Sequence, residues 1–315
     1  MSTGNPLLGI GTIAALKKEG TPGTKESLAT GAAFLDPISE ALDYVPVLHR
    51  IAPIAGARQA DADHEFVSHH DGSGTLTQRV RGATIEDVVE LILGDITATE
   101  YHPIVDDATD LPQFTLEMQK AGESEVRLIG CKTNTATFRS TTNEPLELEM
   151  NIVAMSGERD GGDHTAFDNT AWIAVAPMMH GQMSIDATAE AWLGGATGPE
   201  CRTFEFTINN NLDIEGYTNS QTRKIIPVGM FELTGSMEIP YNATTAGFWV
   251  EMVNAAKVKF EVAYTDGVNT MTCAFVVKID GTLPAITGPE NVWVTLDFHG
   301  VADAVDAHCI EITIT

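Results

Sequence analysis

The tightest constraint on the fold is a period-two alternation of apolar residues, broken at short intervals by Gly, Asn and Pro. It is clearest between residues 203 and 239. There Phe204, Phe206 and Ile208 fall on one face of an extended run, and Phe231, Leu233, Met237 and Ile239 do the same in a later one. Such alternation puts apolar side chains on one side of a half-buried strand. Asn209, Asn210 and Asn211 mark a corner, because Asn tolerates left-handed backbone and turns. After a polar excursion, Arg223-Lys224-Ile225-Ile226, ahead of Pro227 and Gly229, is expected to re-enter β structure.

The same signal runs upstream. Strands are expected at 114–118, 126–129, 132–138 and 146–155. A sharp turn is expected at Asp71-Gly72-Ser73-Gly74, followed by a strand over 75–80. One helix stands out, with Thr84 as N-cap, Asp87 at the capping-box position and Val88, Val89, Leu91 and Ile92 in helical spacing. Gly94 is its natural stop. Residues 1–31, rich in Gly, Thr, Lys and Ser, read as an extended arm or loop rather than a packed element. Residues 106–110 form an acidic loop, residues 156–171 read as loop, and a connector carries a strand near 182–187.

The second half replays the first. Gly74 and Gly235 lie 161 residues apart, and the helix starts Thr84 and Thr245 share that offset. FTLEM from Phe114 parallels FEVAY from Phe260. The run from Cys131 parallels that from Cys273, and LELEMNIVAM from Leu146 parallels VWVTLDFHGV from Val292. RIAPIAG at Arg50 echoes RKIIPVG at Arg223. Two units are too few for a solenoid, so two related, fused β domains are expected. The expected division is an arm at 1–31, a first β domain at 32–157, a connector at 158–200 and a second β domain at 201–315. The fold class is mainly β, a sandwich or barrel with flanking helices, duplicated.

Composition narrows the function. With 44 Asp plus Glu against 18 Lys plus Arg, the net charge is −26. Tight binding of a nucleic-acid backbone needs the opposite sign. No run approaches the ~20 apolar residues that span a bilayer, so no membrane contact is expected. The first residues do not read as a secretory leader. Cys131, Cys201, Cys273 and Cys309 form no C-x-x-C pair and are expected to be small buried hydrophobes rather than a disulfide framework.

No constellation asks to be catalytic, and no cofactor or metal is expected. Gly9-Ile10-Gly11 lacks the strand, third glycine and Lys of a nucleotide-binding loop. The cluster His64, Glu65, His69, His70, Asp71 has metal-binding residue types, but Ser68 stands where H-E-x-x-H would need His, so a solvated polar hairpin is expected. Gly72-Ser73-Gly74 is not the G-x-S-x-G elbow. Asn242-Ala243-Thr244 is a formal glycosylation sequon. Two other classes bear on a chain of this composition. A carbohydrate- or cell-binding module would want exposed Trp or Tyr platforms, and Trp172, Trp192 and Trp249 suggest none. A metal-dependent hydrolase would be built on His64, His69 and His70.

Taken in order, several segments resemble one family of tail tube (major tail) proteins of long-tailed phages. They are the N-terminal arm with GTPGT, GSGTLTQRV feeding a helix that ends in Leu-Gly, LPQFTLEM, GCKTNTATF, LELEMNIVA, FEFTINNNLD and GMFELTGSMEI. The resemblance spans residues 9–300. It implies a structural virion protein whose β-sandwich or barrel subunits assemble, in the host cytoplasm, into stacked six-fold rings around a hollow conduit for DNA. A duplicated subunit would close the ring as a trimer with pseudo-six-fold symmetry, the alternative being a hexamer. Implied partners are further copies of the chain, a tape measure protein and tail terminator or connector proteins. Genomic DNA would pass through the lumen without specific binding. An acidic lumen that repels phosphates would account for the charge.

Overall fold

The computed structural model describes residues 13–50, 65–104, 109–120, 124–159, 176–179, 183–186, 201–242, 245–281, 292–302 and 307–315. The triplet 9–11, His64, Trp172, Trp192, most of the acidic loop and most of the connector lie outside them. The fold is mainly β, as the alternation requires.

The first half closes on itself. β1 (Ile13–Lys18), β2 (Ala33–Glu40), β4 (Glu65–Arg79), β9 (Glu147–Ala154), β8 (Ser124–Thr141) and β7 (Phe114–Lys120) pair antiparallel in that order, and β7 returns to β1. The result is a six-stranded barrel with no open edge at the seam, filled by residues such as Leu16, Leu35, Leu76, Leu116, Leu128 and Met150. α1 (Gly82–Leu93) packs against the barrel through Ile85, Val88, Val89 and Ile92, all buried. Beside it, β3 (Asp43–Arg50) pairs with the first part of β4 as a long hairpin.

The second half repeats five of the six pairings. β12 (Thr203–Asn209), β13 (Glu232–Pro240), β16 (Trp293–Gly300), β15 (Thr270–Asp280), β14 (Val258–Thr265) and β11 (Met183–Asp186) pair antiparallel in the equivalent order. Among the described residues no β11–β12 pairing closes it. The second helix, α2 (Ala246–Asn254), again follows the equivalent strand and packs on β15 as α1 packs on β8. Even the register recurs. Gly74 faces Ile152 across β4 and β9, and Gly235 faces Phe298 across β13 and β16. The last short strands match as well: β10 (Ser156–Arg159) lies on β8 and β17 (Ile310–Ile314) lies on β15.

The halves join through β8 and β12, which pair antiparallel from Thr135↔Asn209 to Thr141↔Thr203. One core therefore runs through both, with Phe138, Phe204, Phe206, Phe260, Phe275 and Phe298 packed together at its centre. The first half differs by two additions: β3, and a hairpin of β5 (Gly94–Thr97) and β6 (Glu100–Pro103) that reaches β17 of the second half.

Several local expectations are corrected. Residues 13–18 are not loop: Ala14, Ala15 and Leu16 are fully buried in β1. Residues 71–74 are not a turn, because β4 runs straight through them. Their glycines serve close approach instead. A Cβ on Gly74 would lie 2.2 Å from the Ala41 carbonyl oxygen, and one on Gly72 would lie 3.2 Å from Tyr44 and Ala154. The two strands expected at 126–129 and 132–138 are one strand, β8, bent at Gly130, whose φ is +66°. The buried Glu19 carboxylate holds that bend, accepting from Gly130 N (2.8 Å) and Thr115 Oγ1 (2.9 Å). α1 opens at Gly82 rather than after Thr84, since the Arg81 carbonyl already accepts from both Thr84 N and Ile85 N. Asp87 consequently lies beyond any capping box. Residues 156–159, expected as loop, are β10. Residues 223–226, expected as strand, make no ladder.

Candidate assembly surfaces

From β4 to β15 the chain forms one sheet that crosses the junction between the halves: β4, β9, β8, β12, β13, β16, β15. Alternation buries one face. Read across the strands, a row buried except at the half-buried Gly235 consists of Gln78, Leu148, Phe138, Phe206, Gly235, Phe298 and Ile279. The neighbouring rows belong to the other face. One is Thr77, Glu149, Thr137, Thr207, Thr234, His299, Lys278, and the other is Arg79, Glu147, Arg139, Glu205, Ser236, Asp297, Asp280. This face holds hydroxyls and charges and no large apolar side chain in either row.

Its charges are partly engaged among themselves. Arg139 donates to Glu205 (2.8 Å) and Glu149 (2.9 Å), and those carboxylates hold its guanidinium above the usual Arg range. Thr137 and Thr207 hydroxyls meet at 2.9 Å across the junction. His299 Nδ1 lies 2.5 Å from Asp280. Carboxylates outnumber cations here, so the face is acidic.

A second surface is the loop after β12, residues 210–231, which is held from below by buried cations. Arg223 donates to the carbonyls of Ile214 (2.9 Å), Gly72 (3.2 Å) and Ala154 (3.0 Å), pairs with Asp71 at 2.5 Å, and covers the ring of Tyr217. These bonds draw the segment across the barrel end, which is why it does not join a ladder. Lys132 has no exposed surface and donates to Asp110 (2.5 Å) and to the Ile226 carbonyl (2.6 Å). Asn210 donates to the carbonyls of Ile92 and Thr133.

The loop so fixed turns Ile225, Val228 and Met230 to solvent, the last 74% exposed. They rim a cleft of about 950 Å³ lined also by Ile104, Leu111, Met155 and Pro227. The β3–β4 hairpin exposes Val45, Val47, Leu48 and Phe66. Exposed apolar patches of this kind mark contact surfaces.

The residues singled out in the sequence are dispersed. His64 lies outside the described residues. His69 packs on Tyr217 (4.4 Å between rings), His70 stacks on Tyr44 (5.3 Å), and Asp71 is held by Arg223. They lie along β4 and converge on no common point. Ser73 Oγ donates to Asp71 within the strand and meets no histidine. Trp249 is buried, Trp293 lies under the Arg202 guanidinium at 3.7 Å, and among the described residues no Trp makes an open platform. The four cysteines are free thiols. Burial pushes Cys201 up to about 12 and Cys309 up to about 11, and raises Cys131 and Cys273 as well.

Sequence reasoning missed the buried cations and one other group. Glu100, His102 and Glu311 bring ligand atoms within 4.8 Å of one another. No local motif announces it, because β6 and β17 meet only through tertiary pairing.

A family model described as "Phage tail tube protein" matches residues 9–300. No curated protein matches the chain.

Proposed function

The chain belongs to the phage tail tube protein family, and from that premise we propose that three copies close a ring with pseudo-six-fold symmetry and that such rings stack into a hollow conduit for DNA. The observation that carries this reading is the recurrence of one strand order, with five of its six pairings, in both halves, joined by β8 and β12. If each half occupies one sixth of the ring, its two equivalent units run from β1 to β10 and from β11 to β17. The contact between copies would then repeat the internal one, with β15 of one copy meeting β2 of the next, the positions equivalent to β8 and β12. Edge pairing of this kind satisfies backbone groups that a lone subunit leaves to water.

The polar sheet face suits a bore. It continues across the internal junction, and its Glu and Asp side chains would repel sliding phosphates rather than bind them. The apolar residues of the 210–231 loop and the β3–β4 hairpin suit contacts between rings, which are heterologous and do not close along the axis. The role is structural and not catalytic, sited in the virion tail after assembly in the host. At its ends the tube would meet a tape measure protein and tail terminator or connector proteins.

The test is electron microscopy of the purified chain with native mass measurement of the soluble rings. Hollow tubes and a three-subunit ring support the proposal. A six-subunit ring would remove the equivalence of the halves, and a strongly basic bore would remove the role given to the acidic face.

A further inference from the structure

We propose that Glu100, His102 and Glu311 form a binding site for a divalent transition cation of the zinc type, clamping the last strand of the second half to the β5–β6 hairpin of the first. The site is built from two strands far apart in sequence. Glu100 and His102 alternate on one face of β6, and Glu311 comes from β17, where Ile312 faces Tyr101 and Thr313 faces Glu100. One nitrogen and two carboxylate oxygens lie within 4.8 Å of one another. Ligands around a common zinc stand about 3.3 Å apart, which follows from metal–ligand distances of ~2.0–2.1 Å. Small side-chain rotations close the difference.

The independent observation is the state of His102. Only 7% of the residue is exposed, and its Nδ1 is buried without a hydrogen-bond partner. Its Nε2 is nearest to Glu100 Oε2, at 3.9 Å, too far for a hydrogen bond. A buried imidazole normally has both nitrogens satisfied. Here the ring is held in place by stacking on His308, centroids 4.4 Å apart, and directed toward two carboxylates. Among the described residues neither Glu100 nor Glu311 has a Lys or Arg ion-pair partner. A borderline-soft cation would engage one imidazole nitrogen, the Nε2 that faces Glu100, together with both carboxylates, and water would complete the set. Mixed nitrogen and oxygen donors favour Zn²⁺, Co²⁺ or Ni²⁺ over Mg²⁺ or Ca²⁺, which take oxygen alone.

The strand pairing that the cation would reinforce is short, two residue pairs between β6 and β17. The site thus acts on how firmly the halves are held, whatever the assembled form.

The experiment uses the full chain stripped with a chelator and titrated with CoCl₂ and ZnCl₂ by calorimetry, visible absorption and thermal unfolding. Expected are one ion per chain, a Co²⁺ ligand-field band, and a rise in Tm of about 4 °C at 100-fold excess over the dissociation constant. His102→Gln and Glu311→Gln should each weaken binding at least ~10-fold, whereas His299→Gln, on the polar sheet face, should bind as the parent does. The inference is overturned by absence of stoichiometric binding, by equal binding in His102→Gln, or by an equal response to MgCl₂ or CaCl₂. Failure of ring assembly would leave all these readouts intact, so the two proposals fail separately.

Discussion

Phe138 of β8 and Phe206 of β12 stack face to face, centroids 4.7 Å apart and ring planes within 9°, one from each half of the chain. The pair lies directly opposite in register and is buried completely or nearly so. It makes the two repeats a single packed body. Phe206→Ala should therefore cost about 3–5 kcal/mol through lost burial and the cavity left behind. Denaturant unfolding of the parent followed by fluorescence and circular dichroism should give one coincident transition. Two separate transitions in the parent would mean that the halves fold independently.

Equivalent glycines should respond alike. A Cβ on Gly74 would meet the Ala41 carbonyl oxygen at 2.2 Å, and one on Gly235 would meet Phe298 Cζ at 2.3 Å. Alanine at either position should cost about 2–4 kcal/mol, because main chain or a packed ring must move. Gly267→Ala, with positive φ but nothing within 4 Å, should cost only about 1 kcal/mol. Chemical denaturation of the three variants checks the order.

Arg223 replaces a ladder with side-chain bonds. Arg223→Met would leave the Ile214, Gly72 and Ala154 carbonyls and the Asp71 carboxylate without their shared partner. A loss of about 3–5 kcal/mol is expected, together with faster amide exchange across residues 214–226. Unchanged exchange there would show that the loop is held by other contacts.

Met230 and Ile225 contribute little to the monomer. Changing both to Glu should leave monomer stability within about 0.5 kcal/mol. It should also shorten or abolish tubes seen by electron microscopy. Full-length tubes from the double variant would remove this loop from the contact between rings.

The cysteines carry a pH dependence of definite sign. Burial raises Cys201 to about 12 and Cys309 to about 11, so the folded chain holds those protons after the unfolded chain has released them. Stability contributed by the neutral thiols is then full below the ordinary thiol pKa and declines as pH rises toward 11–12. Alkylation of the folded protein should stay slow from pH 7 to 9 and become fast only on unfolding. Rapid labelling at pH 8 under native conditions would contradict this.

The sequence by itself determined the β class, the buried faces of β12 and β13 and the recurrence of the two halves. The first two rest on local alternation, which depends only on a residue and its neighbours two places away, and the third on short patterns that recur in one order along the chain. The 161-residue spacing of Gly74 and Gly235 survives in the structure as a shared register with Ile152 and Phe298. Tertiary structure decided what no local pattern encodes. Glycines at 72 and 74 look the same in sequence whether they make a turn or admit a neighbouring backbone, and only the position of Ala41 and Leu42 resolves it. β1 lies in a segment rich in turn residues and is a strand because β2 and β7 offer it partners on both edges. Arg223 and Lys132 read as surface cations until the fold surrounds them with carbonyls and carboxylates. The cluster of Glu100, His102 and Glu311 exists only because β17 returns to the first half, a contact set by chain topology.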